Sequence, residues 1–286
     1  MRDPDRHLDP DAVPEVDLTL PNPARVYDYL LGGAHNFATD REFAERMLTA
    51  LPHARRAAVA NRAFLGRAVR ACLERGVRQF LDLGSGIPTA APVHELARRI
   101  DPAARVAHVD VEPVSVAMSR EILHGVDGTS ITAADLTDPA AVLAAPGVAG
   151  LLDPAEPVAV LAVSVLHFVA DDTLLATLAD TYATAFGPGS MLVVSHGSTD
   201  VDDPAAAHDM RTVERLTRET SQPARARDRA TLRRLLVDRP GHRLDLLEPG
   251  LVDVTAWRAE DLPAGRPVGM YALVGEVVPV AGGQSR

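Results

Sequence analysis

Residues 80–90 read FLDLGSGIPTA: an apolar run carrying one acid, Asp82, then Gly84 and Gly86 either side of Ser85, then Pro88. An apolar run that opens into a glycine pair predicts a strand feeding a loop whose backbone approaches a ligand closely, since side chains there would block it. The chain on either side supports a strand. VRQFLDL, RVAHVDV, SITAADL, VAVLAVSVL and MLVVSH read as strands, and PVHELARRI, VSVAMSREIL and residues 172–186 as the helices between them. Near-continuous apolar strands separated by amphipathic helices predict a parallel sheet covered on both faces.

Towards the C-terminus, RLDLLEPGLVDVTAW and GMYALVGEVVPV follow with no helix between them, which predicts a terminal hairpin and an antiparallel last strand. Residues 201–226 interrupt the alternation with a polar, helix-capable insertion. The expected fold is α/β: a doubly wound, Rossmann-like domain over 77–280 with a mostly parallel seven-stranded sheet. Residues 21–76 read as a helical N-terminal extension. Thr39 and Glu42 have capping-box spacing, and Leu65, Ala68, Val69, Cys72 and Leu73 recur at helical spacing in a helix from about Ala54 that Gly76 ends. Residues 1–20, acidic and proline-rich, read as a disordered or loosely docked arm.

Composition narrows the function. The 286 residues are 47% hydrophobic and 24% charged with a net charge of −10, which speaks against a nucleic-acid surface and for a soluble protein handling small molecules. The basic side chains are all arginine, so lysine Schiff-base chemistry is excluded. Cys72 is the sole cysteine, which rules out an intrachain disulfide and a thiolate metal cluster and predicts a buried thiol. The N-terminus has no apolar core, and the most apolar stretch, 158–169, is too short to span a bilayer, so neither membrane contact nor export is expected and a cytoplasmic location follows.

The glycine loop indicates the ligand. A dinucleotide loop reads G-x-G-x-x-G and sets a pyrophosphate on a helix N-terminus. Here Thr89 stands at the third glycine, and Pro88 removes a backbone donor. Asp82, just ahead of the glycines, repels a pyrophosphate and attracts an ammonium. S-adenosylmethionine is cationic and free of phosphate, and it matches Asp82, Gly84, Ser85 and Gly86. An acid after the second strand, Asp110, accepts hydrogen bonds from ribose hydroxyls and disfavours a 2′-phosphate; a solvated strand-end aspartate is the alternative.

QFLDLGSGIP resembles the first motif of class I S-adenosylmethionine-dependent methyltransferases, departing from it at Pro88. More narrowly, the chain from about Pro23 resembles the actinobacterial S-adenosyl methyltransferase family, long catalogued as a domain of unknown function. The shared stretches are ARVYDYLLGGAHNFATDRE, ANRAFL, QFLDLGSGIPT, HVDVEPV, VLHFV and LEPGLV. The resemblance implies that a loop proline is usual, that Asp110 meets the ribose and Val111 the adenine, and that Asp135 and Leu136 sit near the adenine amino group. A helix N-cap is the other reading of Asp135. Arg62 is a candidate partner of the cofactor carboxylate, or a solvent-facing helix residue.

On the acceptor side, His167 and His196 follow the fourth and fifth strands, where the sheet opens, and either is a candidate to orient an acceptor or take its proton. Neither has a partner at metal-ligand spacing, so no metal is expected. Tyr27, Asp28, Tyr29, His35, Asn36 and Phe37 cluster around Gly32-Gly33, which predicts a lid that excludes water. The acidity and the missing Asn/Asp-Pro-Pro-Tyr/Phe pattern favour a small-molecule acceptor over nucleic acid. Competing readings are a non-catalytic cofactor-binding or regulatory protein, a nicotinamide dehydrogenase, weakened by Asp82, and an aminopropyl transferase.

Overall fold

The computed structural model describes residues 17–88, 91–200, 204–239, 243–259 and 266–278. Most of the arm, Thr89, the start of the insertion and the end of the last apolar segment lie outside these residues.

Three helices come first: α1, Pro23–Leu30; α2, Ala38–Ala50; and α3, Ala54–Glu74. Gly76 ends α3 at a φ of 86°, with Gly76 N donating to the Leu73 carbonyl and Val77 N to that of Cys72. The cap of α2 differs from the expected pairing. Asp40 reaches back to accept from Phe37 N, while Thr39 Oγ1 donates to the Leu18 carbonyl.

Strands and helices then alternate: β1, Gln79–Leu83; α4, Val93–Ile100; β2, Arg105–Asp110; α5, Pro113–Ile122; β3, Thr129–Ala133; α6, Pro139–Ala144; α7, Pro146–Ala149; β4, Val158–Val163; α8, Asp172–Thr184; and β5, Met191–Gly197. The insertion supplies α9, Pro204–Leu216, and leads to α10, Arg229–Leu236. Three strands finish the chain: β6, Arg243–Leu246; β7, Val252–Asp253; and β8, Met270–Val278. The sheet order is β3-β2-β1-β4-β5-β8-β6, with the two-residue β7 on β8 as an eighth strand beside the expected seven. β1 to β5 are parallel, and β8 runs antiparallel to β5, β6 and β7.

Strand alternation splits the core into two layers. Leu81, Leu83, Val109, Val160 and Val194 face α8 and α10; Phe80, Val106, Leu161 and Val193 face α3 and α4 with the fully buried Trp257. Cys72 lies in the second layer, fully buried, and burial pushes its thiol up to about 12. A third cluster joins α1, α2 and the start of α3. The described helices include none long and apolar enough to cross a membrane.

Candidate active site

Strand order reverses between β1 and β4, and the crevice at their carboxyl ends is where such sheets bind ligands. A cavity of about 580 Å³ lies there, floored by the strand ends and roofed by α1, α2, α3 and α9.

Gly84 and Gly86 both take left-handed backbone, with φ of 63° and 64°. A Cβ on Gly84 would run into Val165, whereas one on Gly86 would stand in open space at the cavity wall. The loop is tied to the neighbouring strand: Ser85 N donates to the Val109 carbonyl, and Gly86 N to Asp110 Oδ2 at 2.7 Å. Asp110 Oδ1 accepts from Glu112 N at 2.8 Å. Burial raises the Asp110 carboxyl to about 6, against these two backbone donors.

Asp82 lines the same cavity and accepts from His108 Nδ1 at 2.9 Å. His108 is its register partner on β2, and His94 of α4 stands behind it, 3.2 Å away. Burial lowers His94 to about 4.

Beyond β4, Ser164 has a φ of 60°, a strained value for a residue with a side chain, and lines the cavity. Its N–H donates to Ser195 Oγ, which donates to Asn61 Oδ1; Asn61 Nδ2 donates to the Tyr27 hydroxyl, which donates to the Ala58 carbonyl. A polar chain thus ties two strand ends to α3 and α1. His167 lines the cavity with its Nδ1 buried and unpartnered, and burial lowers it to about 4.

His196 is placed differently from expectation. It is fully buried and is not among the cavity's lining residues. Its Nδ1 donates to the Gly197 carbonyl at 2.7 Å, and its Nε2 faces the Arg227 guanidinium at 3.1 Å. An arginine only donates, so Nε2 is the acceptor and the ring is neutral with its lone pair in use. Burial, with the neighbouring His167 and Arg227, lowers it to about 3. His196 therefore braces Arg227, which also holds Asp172 and the Val169 carbonyl.

The lid cluster divides likewise. Tyr27 and Asp28 line the cavity; His35, Asn36 and Phe37 do not. Asp28 Oδ2 accepts from His35 N and Asn36 Nδ2, and Gly33 packs so close to this carboxylate that any Cβ would overlap it. Phe37 lies outside, over the Arg25 guanidinium. The N-terminal helices are tied to the start of α5 by a buried triad that sequence reading missed. Arg25, 2% exposed, donates to Asp40 at 2.9 Å and to Glu112 at 3.0 Å.

Of the other expected residues, Arg62, Val111, Asp135 and Leu136 all line the cavity. Val111 is an exposed apolar side chain and Asp135 an exposed carboxylate beside it in the wall. Among the described residues, six buried side-chain polar atoms have no partner, and three of them, Ser85 Oγ, Arg62 Nε and His167 Nδ1, belong to residues that line this cavity. Asn61 and Ser164 are wall residues that no sequence signal singled out.

A glycine cradle at the switch point of a parallel sheet, with acids at successive strand ends, defines a nucleoside-cofactor protein. Residues 10–278 match the family model described as S-adenosyl methyltransferase, and the chain belongs to that family. It is similar to a Thermobifida fusca YX protein assigned as a methyltransferase, at 34% identity over 92% of this chain and 97% of that one, with a TM-score of 0.83. A DUF574 family protein of Streptomyces avermitilis MA-4680 is 30% identical over 92% and 99%, also with a TM-score of 0.83. A search of the curated proteins finds no match. The chain is a methyltransferase dependent on S-adenosylmethionine.

Proposed function

We propose that the protein transfers the methyl group of S-adenosylmethionine to a small-molecule acceptor held beneath its helical lid. The observation that carries this reading is that Ser85, Arg62 and His167, residues of one cavity beside a glycine loop, each hold a buried polar atom without a partner. Buried polar atoms without partners are costly, so three on residues of one cavity support a polar ligand toward which those side chains turn.

When bound, the cofactor supplies a methyl group on a sulfonium sulfur, activated for in-line displacement. Gly86 leaves room for it. Asp82 faces its ammonium, with His108 fixing the carboxylate, and Arg62 pairs with its carboxylate. Asp110 accepts from the ribose, Val111 covers the adenine, Asp135 accepts from the adenine amino group, and Leu136 supplies a backbone contact. Transfer depends on holding the acceptor on the axis opposite the departing sulfur, so positioning supplies much of the rate. His167 is neutral at pH 7 and weakly basic, which suits it to orient an acceptor through a hydrogen bond rather than to strip a proton from a weak acid. The cavity's volume of about 580 Å³ favours a small acceptor.

Calorimetry with S-adenosylhomocysteine tests the cofactor half, and an incubation of S-adenosylmethionine labelled at the methyl group with a metabolite extract tests transfer. Binding and a labelled small molecule are expected. Firm binding with no label moved to any small molecule would favour a non-catalytic binding protein instead.

A further inference from the structure

The glycine loop and strand ends account for the cofactor half of the cavity and leave α9 unused. Met210 stands three and four residues before Val213 and Glu214 on that helix, Thr217 follows just past its end, and all four line the cavity. Met210 and Val213 pack against the cluster that contains Val26, Leu30 and Phe43, which also wall the cavity. Beside this apolar wall stands Glu214, a half-buried residue whose carboxylate has no ion pair among the described residues. A carboxylate facing an apolar wall loses solvation that a cationic ligand group restores. The surrounding charge has the same sign. Asp82, Asp110, Glu112 and Asp135 line the cavity too, Glu112 paired with Arg25, while Arg62 is the one arginine among its described lining residues.

We propose that the methyl acceptor is an apolar amine, its hydrocarbon body against α1, α2 and α9 and its nitrogen directed to Glu214. This rests on the methyl-transfer reading and names its substrate class. Bound as an ammonium, the nitrogen gives one proton to Glu214. Its freed lone pair then forms the N–C bond as the S–C bond breaks, the electron pair staying on sulfur. The methylated ammonium leaves, and Glu214 releases its proton to solvent.

Three probes sharing one apolar body separate the contributions: 1-naphthylmethylamine, 1-naphthylmethanol and 1-naphthoate, titrated into the full chain saturated with S-adenosylhomocysteine. The amine is expected to bind about tenfold or more tighter than the alcohol, as a charge-assisted hydrogen bond implies, and the acid more weakly than both. Glu214→Gln is expected to erase the gap between amine and alcohol while leaving the alcohol unchanged. Met210→Trp, which fills the chamber, is expected to weaken all three and spare S-adenosylhomocysteine. The proposal is overturned if the acid binds as well as the amine, if none of the three binds, if the gap survives in Glu214→Gln, or if Met210→Trp leaves the probes unaffected. Failure of S-adenosylhomocysteine itself to bind shows in the first titration and removes the underlying reading as well.

Discussion

Asp110 joins the two halves of the chemistry at a single carboxylate. It is 7% exposed, holds the glycine loop through Gly86 N, and faces the cavity. Its carboxyl is raised to about 6, so the folded state binds its proton more tightly than the unfolded state does. The stability this confers is complete below the ordinary carboxylate range and is lost as pH rises through about 6. At neutral pH the fold therefore holds an ionised, poorly solvated carboxylate that ligand hydroxyls would satisfy. Affinity for S-adenosylhomocysteine is expected to fall by up to about tenfold per pH unit below about pH 6, and Asp110→Asn to bind more weakly with that pH dependence gone. Calorimetry between about pH 5 and about pH 8 checks it; a flat wild-type profile would rule out Asp110 as the ribose acceptor. Sequence reading found this residue because an acid at the end of a strand, shortly after a glycine loop, is a local signal. It placed His196 at the reactive edge on the same kind of signal, and there it misled. Parity along β5 turns His196 away from the cavity, and Arg227, which takes its lone pair, lies 31 residues downstream.

At the scale of the element, the first helix shows how an arginine hides. In PARVYDYL, Arg25 reads as a surface residue, yet its guanidinium lies between Asp40 and Glu112, 15 and 87 positions away. Nothing local marks such a triad. The same distant partner redirected the cap of α2: Asp40 serves both Phe37 N and Arg25, leaving Thr39 to bond the Leu18 carbonyl. Arg25→Met would leave two buried carboxylates uncompensated and is expected to destabilise the protein by about 3–5 kcal/mol. The half-exposed pair of Arg46 with Glu219 is the comparison, where Arg46→Met is expected to cost under about 1 kcal/mol. Urea unfolding of the two variants decides it. If they lie equally close to the wild type, the triad is not a latch.

Over the whole molecule, the parallel sheet was legible because each central strand is buried on both faces and so reads as an apolar run with a glycine or acid at its end. The coupling between the sheet and the N-terminal helices was not legible, because it passes through side chains far apart in sequence. Asp110 Oδ1 accepts from Glu112 N, Glu112 accepts from Arg25, Arg25 donates to Asp40, and Asp40 accepts from Asn22 N and Phe37 N at the starts of α1 and α2. Occupancy at the ribose position should therefore be felt in the lid. Ordering Asp110 steadies the turn into α5, and with it the carboxylate that anchors Arg25. Hydrogen exchange is expected to slow on binding S-adenosylhomocysteine at residues 84–88 and also at 22–40, where two of the carboxylate-bound amides lie. Glu112→Gln keeps an oxygen to accept from Ser115 N but weakens the ion pair with Arg25. In that variant, protection at the glycine loop should persist while the added protection at 22–40 disappears. Equal protection of both segments in Glu112→Gln would show that the lid senses the cofactor by direct contact, through Tyr27 and Asp28, and not through the buried ions.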